Sequence, residues 1–162
     1  MFEEKQIYPW LKAIVAIGDG NRVIANGLKL PWNYPEEYQY YLDTTKDGER
    51  VMGRVTYDTH KEKPKGVIYI LSQTMEDKPD VHIIRDFKQL PKPEEGKIMW
   101  VCGGAEVYKT YLPFCSELYL THIHGNFEGD RFFPEYEHLF TLEKTVIDRP
   151  EYTAQVYSRN IA

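Results

Sequence analysis

Glu37 is the residue in this chain best placed for acid-base chemistry. It follows Leu30-Pro31-Trp32-Asn33-Tyr34-Pro35-Glu36 and precedes Tyr38-Gln39-Tyr40-Tyr41-Leu42. Pro35 presets φ and needs no amide hydrogen, so a helix starts there with Asn33 and Tyr34 as lead-in. On that helix Tyr38, Tyr41, Leu42 and Thr45 recur at three- and four-residue spacing. Glu37 lies one turn before Tyr41, on the edge of the same face. A carboxylate among aromatic rings without a cationic partner is costly to ionise, unless a ligand brings hydrogen-bond donors to it. The plainer alternative makes Glu37, like Glu36, a first-turn acid favoured by the helix dipole.

A second kind of chemistry is anion binding. Gly103-Gly104-Ala105 falls where an apolar run, Ile98 to Cys102, gives way to a helix carrying Val107, Tyr108, Tyr111 and Leu112. Small residues there admit a ligand to the backbone, and free amides can hold phosphate. The pair is not a GxGxxG fingerprint, a tight turn explains it equally well, and Glu106 nearby disfavours an anion. Gly53-Arg54-Val55-Thr56 and Ser72-Gln73-Thr74 are further junctions of this type, and Arg85 ends a nearby strand. Ligands of open α/β sheets bind outside the carboxyl ends of the strands, so these junctions can converge on one extended anionic ligand such as a nucleotide cofactor. Arg54 alone reads as a surface ion pair. His122 and His124 share a strand face but lack a third metal ligand, and hydrogen bonds suit them better. Ser116, Ser158 and Cys115 have no base at a recognisable spacing, so a covalent nucleophile is unsupported.

Positioning these groups requires strands alternating with short helices. Trp10 to Ile17 reads as a central strand, and Gly18 to Leu30 as an aperiodic loop long enough to act as a lid. Arg50 to Gly53, Val67 to Leu71, Val81 to Ile84 and Ile98 to Cys102 read as strands, the second covered on both faces. Arg54 to His60 and Phe87 to Leu90, capped by Asp86, read as short helices. The expected fold is α/β with a largely parallel sheet. Glu117 to Ile123 is a further strand, and Leu139 to Ile147 with Tyr152 to Arg159 reads as a hairpin giving an antiparallel edge.

At 162 residues and 42% hydrophobic composition the chain suits a single domain, residues 1–162 with its core over about 11–160. A net charge of -5 argues against a nucleic acid. Two cysteines, Cys102 and Cys115, are too few for a disulfide framework, so they read as buried thiols in a reducing compartment. No window reaches membrane-spanning length, and an acid-bearing start unlike a signal peptide makes the cytoplasm the expected location. The expected partner is a small molecule, with no membrane, no metal and a monomeric chain.

Taken in register, several stretches resemble the dihydrofolate reductase family. They are Leu30-Pro31-Trp32-Asn33 with Glu37, Val51-Met52-Gly53-Arg54 with Thr56, Ile70-Leu71-Ser72, and Val101-Cys102-Gly103-Gly104-Ala105-Glu106-Val107-Tyr108. Leu118-Tyr119-Leu120-Thr121 and Glu128-Gly129-Asp130 with Phe133-Pro134 complete the set, which runs from about Leu11 to Arg159. The resemblance implies one mixed, mainly parallel eight-stranded sheet flanked by helices, and NADPH-dependent reduction of 7,8-dihydrofolate to tetrahydrofolate. It makes Glu37 the acid that holds the pterin, with Thr121 hydrogen-bonded beside it and Trp32 positioning a water. Ile14, Leu30, Tyr38, Tyr41, Lys65, Cys102 and Tyr108 fall on substrate positions, and Tyr108 also lies near the nicotinamide. Val23 to Leu30 matches the mobile loop, with Val23, Ile24 and Gly27 toward the cofactor. Ala16, Cys102, Gly103, Gly104, Ala105, Glu106 and Val107 fall on nicotinamide and pyrophosphate positions. Arg54, Val55, Thr56, Leu71, Ser72, Gln73 and Arg85 fall along the adenosine and its phosphates.

There are two departures. Where the family carries an arginine that clamps the glutamate tail, this chain has Gly66 with Lys65 beside it, and a lysine lacks the bidentate fork. Tyr41 replaces the usual phenylalanine. Beside dihydrofolate, a tail-less reduced pterin therefore remains open as substrate. A riboflavin-pathway pyrimidine is disfavoured because those relatives generally lack the acid. A catalytically idle binding module is disfavoured by the joint presence of Glu37, Trp32 and Thr121.

Overall fold

The computed structural model describes residues 2–3, 6–60 and 64–160. In chain order the elements are β1 (Tyr8–Gly18), β2 (Val23–Ala25), α1 (Pro35–Thr45), β3 (Glu49–Gly53), α2 (Arg54–Thr59), β4 (Ile68–Leu71) and β5 (His82–Ile84). They continue with β6 (Met99–Val101), α3 (Ala105–Tyr111), β7 (Cys115–Ile123), β8 (Arg131–Phe132), β9 (Phe140–Asp148) and β10 (Tyr152–Arg159). A short 3-10 turn over Phe87–Gln89 is capped by Asp86, whose carboxylate accepts from the Lys88 amide.

The main sheet has eight strands in the order β5-β4-β3-β6-β1-β7-β10-β9. Pairing is parallel from β5 to β7 and antiparallel for β10 with β7 and β9. The expected hairpin is present, with β9 as the outer edge. Alternation along the strands divides the core between the two faces. Leu11, Ala13, Val15, Val51 and Val101 pack against Val107, Tyr108 and Tyr111 of α3. On the other face Ile14, Met52, Ile68, Ile70, Trp100 and Cys102 pack with Tyr57 of α2 and Tyr41 of α1.

The strand order fixes where a ligand can enter. β3 and β6 are neighbours, yet the chain leaves β3 through α2 toward β4 and leaves β6 through α3 toward β7. Such a reversal opens a crevice outside the carboxyl ends of the strands. β6 stops at Val101, level with Ala13 of β1. Beyond that point the chain stays with β3, the Cys102 amide donating to Val51 O at 3.0 Å and Gly103 O accepting from the Gly53 amide at 2.8 Å. From Ile14 onward β1 is therefore bordered only by β7.

One expectation changes. The segment from Gly18 to Leu30 is not wholly loop, because Val23–Ala25 forms β2 and pairs with β8. Its partner lies more than a hundred residues away and the ladder is minimal, so no local period marks it. β4 is covered on both faces, one more fully than the other, with Tyr69 and Leu71 packed against the core on the α3 side. Ile68 and Ile70 are buried while Tyr69 and Leu71 are half-buried, as suits a strand one position from the sheet edge. Among the described residues no helix is long and apolar enough to cross a membrane.

Candidate active site

Pro35 opens α1 after an extended Tyr34, with no side-chain cap, and the next two residues are both acids. Glu36 points outward: the Tyr152 hydroxyl donates to it and Arg149 Nε stands 3.1 Å from its carboxylate. The Tyr152 hydrogen bond chiefly, aided by Arg149, holds the Glu36 carboxyl below its ordinary value. Glu37 turns inward and is 9% exposed. Its carboxyl has neither a hydrogen bond nor a cationic partner among the described residues, and burial pushes it up to about 7. Glu36 is thus the exposed first-turn acid, and Glu37 is the buried one.

Trp32, five residues earlier in the chain, is 7% exposed and edge-on to Phe127 at 5.3 Å. Its buried Nε1–H has no acceptor among the described residues, an open donor that a ligand or bound water can satisfy. Thr121 is 2% exposed on β7, in register with Ala16 of β1. It makes no hydrogen bond to Glu37. The Tyr108 hydroxyl crosses from α3 to donate to Ile14 O at 2.7 Å, the first β1 carbonyl past the end of β6. Burial first, then Cys102 and Glu37, drives the Tyr108 phenol well above its ordinary value. Burial likewise pushes the Cys102 thiol up to about 12, and that thiol donates to Trp100 O at 3.4 Å. The Tyr41 hydroxyl is hydrogen-bonded to His60 Nε2 at 3.1 Å. Tyr38 is half-buried with its ring 5.9 Å from that of Tyr41.

The glycine junctions lie side by side at the carboxyl edge. α2 and α3 start at Gly53 and Gly104 without side-chain caps, leaving their first amides open. Gly103 has φ +117, and a Cβ there would stand 3.3 Å from Thr56 Oγ1 and 3.4 Å from the Tyr108 ring. Arg85 Nη1 donates to Ser72 O at 2.9 Å, and the Gln73 side chain donates back to Arg85 O. Arg54 pairs with Asp58 at 3.5 Å, the surface pair expected of it, next to Val55, which is 56% exposed. A shallow pocket beside them is lined by Arg54, Asp58, Thr74, Met75, Glu76 and Lys78. Four strand spacings separate β5 from β1, about 19 Å, the extent of a dinucleotide. Open amides, small residues and cations along that line fit such a cofactor.

Other predicted positions scatter. Val23 is fully buried with Trp32 and Ile123, so only its backbone is available, and Ile24 is 8% exposed. Gly27 is exposed, its amide held by Asp130 Oδ1 at 2.8 Å, while Leu28 and Leu30 are 70% and 57% exposed. Lys65 and Gly66 are exposed. His124 Nδ1 meets Asp19 Oδ2 at 2.7 Å, and His122 Nε2 meets the Tyr157 hydroxyl at 2.9 Å, in line with a hydrogen-bonding role. Sequence reasoning passed over Arg50, which is buried. The available signal was an arginine inside a strand otherwise built from Val51 and Met52.

A family model described as dihydrofolate reductase matches residues 10–159. An Escherichia coli protein, dihydrofolate reductase type A13, is 34% identical over 155 residues, spanning 90% of this chain and 93% of that one. A Bacillus subtilis dihydrofolate reductase is 32% identical over 125 residues, 74% of this chain and 73% of that one. Among solved structures, a dihydrofolate reductase from Enterococcus faecalis complexed with NADP(H) and RAB-propyl superposes with a TM-score of 0.79 at 26% identity, covering 93% of this chain and 96% of that one.

Proposed function

Because the chain belongs to the dihydrofolate reductase family, whose reaction is the NADPH-dependent reduction of 7,8-dihydrofolate to 5,6,7,8-tetrahydrofolate, we propose that the crevice between β1 and β6 carries out that reaction with Glu37 as its ionisable group. The observation that carries the reading is a buried carboxyl with no protein partner at the start of α1. A pterin presents an amino group and a ring N–H side by side, the donors such a carboxyl lacks. NADPH, when bound, supplies the hydride delivered to pterin C6.

Glu37 fixes the ring and, with a water held by Trp32 Nε1–H, delivers the proton that N5 requires. Thr121 adds a hydroxyl beside the carboxyl. Ile14, Tyr38, Tyr41, Cys102 and Tyr108 form the cleft walls, which exclude water and strengthen the field of the acid. The Tyr108–Ile14 bond keeps the mouth between β1 and α3 at fixed width. Leu30, with Gly27 and Leu28, rims the cleft as the part of the loop that closes over it, while Val23 and Ile24 anchor that loop. Ala16 and Gly103 to Val107 take the nicotinamide and pyrophosphate. Arg54, Val55, Thr56, Leu71, Ser72, Gln73 and Arg85 take the adenosine end, where Arg54 and Arg85 favour the extra phosphate of NADPH over NADH.

The test follows NADPH absorbance with dihydrofolate for the parent and for Glu37→Gln. The expected result is turnover by the parent and a kcat lower by on the order of 10²-fold in the variant, with NADPH affinity kept. Equal rates would remove Glu37 from the mechanism.

A further inference from the structure

Arg50 lies on β3 at 3% exposure, on the α1-facing side of the sheet with its register neighbour Trp100. Arginines this deeply buried are ordinarily paired with a carboxylate. Among the described residues this one is paired only with neutral groups. Nε and Nη2 donate to Thr45 Oγ1 at 3.2 and 2.9 Å, and Nη1 donates to Lys65 O at 2.8 Å. No carboxylate lies within ion-pair distance among the described residues, and three of the guanidinium's five N–H donors are accounted for. Thr45 Oγ1 itself donates to Tyr41 O at 2.9 Å, so the last turn of α1 holds the planar group in one orientation. The charge is felt in the cleft, where it eases ionisation of Tyr41 and Cys102 against the larger opposing effect of burial.

Geometry links this cation to the pocket acid. Thr45 follows Glu37 by eight residues of helix, about 12 Å along the axis, and both are buried under α1. A ligand with its ring at Glu37 and a benzoyl spacer laid along α1 would carry its far end toward Thr45 and the guanidinium bonded to it. The register adds a second link. Arg50 lies opposite Ile68 of β4, two residues past Gly66, and its Nη1 is bonded to the carbonyl that precedes Gly66. The neighbouring strand thus places the guanidinium fork against the backbone at Lys65 and Gly66, while Lys65 itself is exposed.

We propose that Arg50 is the substrate-specificity residue of the cleft, holding a carboxylate of the dihydrofolate glutamate tail through its two remaining N–H donors. The proposal rests on the reading that the cleft takes dihydrofolate, and it removes the tail-less pterin as the preferred substrate.

The experiment measures equilibrium binding of folate and of its diamide, both tail carboxylates converted to carboxamides, by calorimetry. The proteins are the parent, Arg50→Met, Arg50→Lys and Lys65→Ala. The parent should prefer folate by roughly 10- to 100-fold, the range of a charge-assisted bidentate contact. Arg50→Met should level the two ligands. Arg50→Lys, which keeps the charge without the fork, should narrow the preference, and Lys65→Ala should retain it. A parent without preference, an Arg50→Lys protein with the full preference, or a Lys65→Ala protein that loses it would overturn the assignment, even if Arg50→Met fails to fold. NADPH-dependent turnover of a tail-less dihydropterin by the parent reads the function separately. If that reaction and dihydrofolate reduction are both absent, the functional reading fails, while the folate-to-diamide ratio still reports on Arg50.

Discussion

Glu36 and Glu37 are adjacent in sequence and opposite in circumstance, and the difference has measurable consequences. Burial disfavours the charge of the Glu37 carboxyl and pushes it up from an ordinary 4.5 to about 7. The folded state therefore binds more protons than the unfolded one between those values, and stability falls as pH rises through that window. The loss amounts to roughly 3 kcal/mol by pH 8. Glu37→Gln should remove that dependence. Thermal unfolding of the ligand-free protein should show the variant more stable than the parent at pH 8, with the gap closing toward pH 4.5. A parent whose stability is flat from pH 4.5 to 8 would contradict the burial of this group. The same ionisation should appear in catalysis. If the protonated carboxyl is the productive form, kcat/KM for dihydrofolate declines above about pH 7 in the parent and not in the variant. Glu37 was legible because helix-start rules and spacing are local. The setting of Arg50 was not, since the groups that hold it, Thr45 and Lys65, are brought together only by folding.

The element with least support of its own is the flap formed by β2 and β8. It has one short ladder, yet it is tied at several points: Arg22 Nε donates to Phe133 O at 2.9 Å, and the Asp130 amide donates to Ala25 O at 3.1 Å. Gly129 is where the two segments cross most closely, and a Cβ there would fall 2.2 Å from Val23 Cγ2 and 2.4 Å from Ala25 O. Because one of those atoms is backbone, Gly129→Ala should force the flap away, at a cost of about 1–3 kcal/mol. Limited proteolysis should then cut between residues 18 and 30 faster than in the parent, and dihydrofolate KM should rise. Unchanged cleavage would show that the flap docks without this close approach. The long helix, the parallel strands and the hairpin were readable from period and turn chemistry. The flap was not, because strands of three and two residues carry no period.

For the whole molecule, the proposed cofactor line crosses β5, β4, β3, β6 and β1, so a dinucleotide bound there would bridge more than half of the sheet. Ligand that binds only the folded state stabilises it by about 2.7 kcal/mol at 100 times its Kd. For a chain of this size that corresponds to a Tm rise of roughly 5–10 °C with NADPH. A smaller rise with NADH at the same concentration would accord with phosphate contacts at Arg54 or Arg85, and equal rises would count against them.

The opposite margin of the sheet has a different task. β9 ends the sheet, with Leu142 and Val146 49% and 47% exposed, and such a border can template the addition of a foreign strand. Its pairing with β10 is interrupted by register shifts between Ala154 and Gln155 and between Val156 and Tyr157, and Glu143 and Lys144 lie between the exposed apolar residues. Kinks and charges of this kind keep a crowded solution of the protein from zipping into fibrils along this flank.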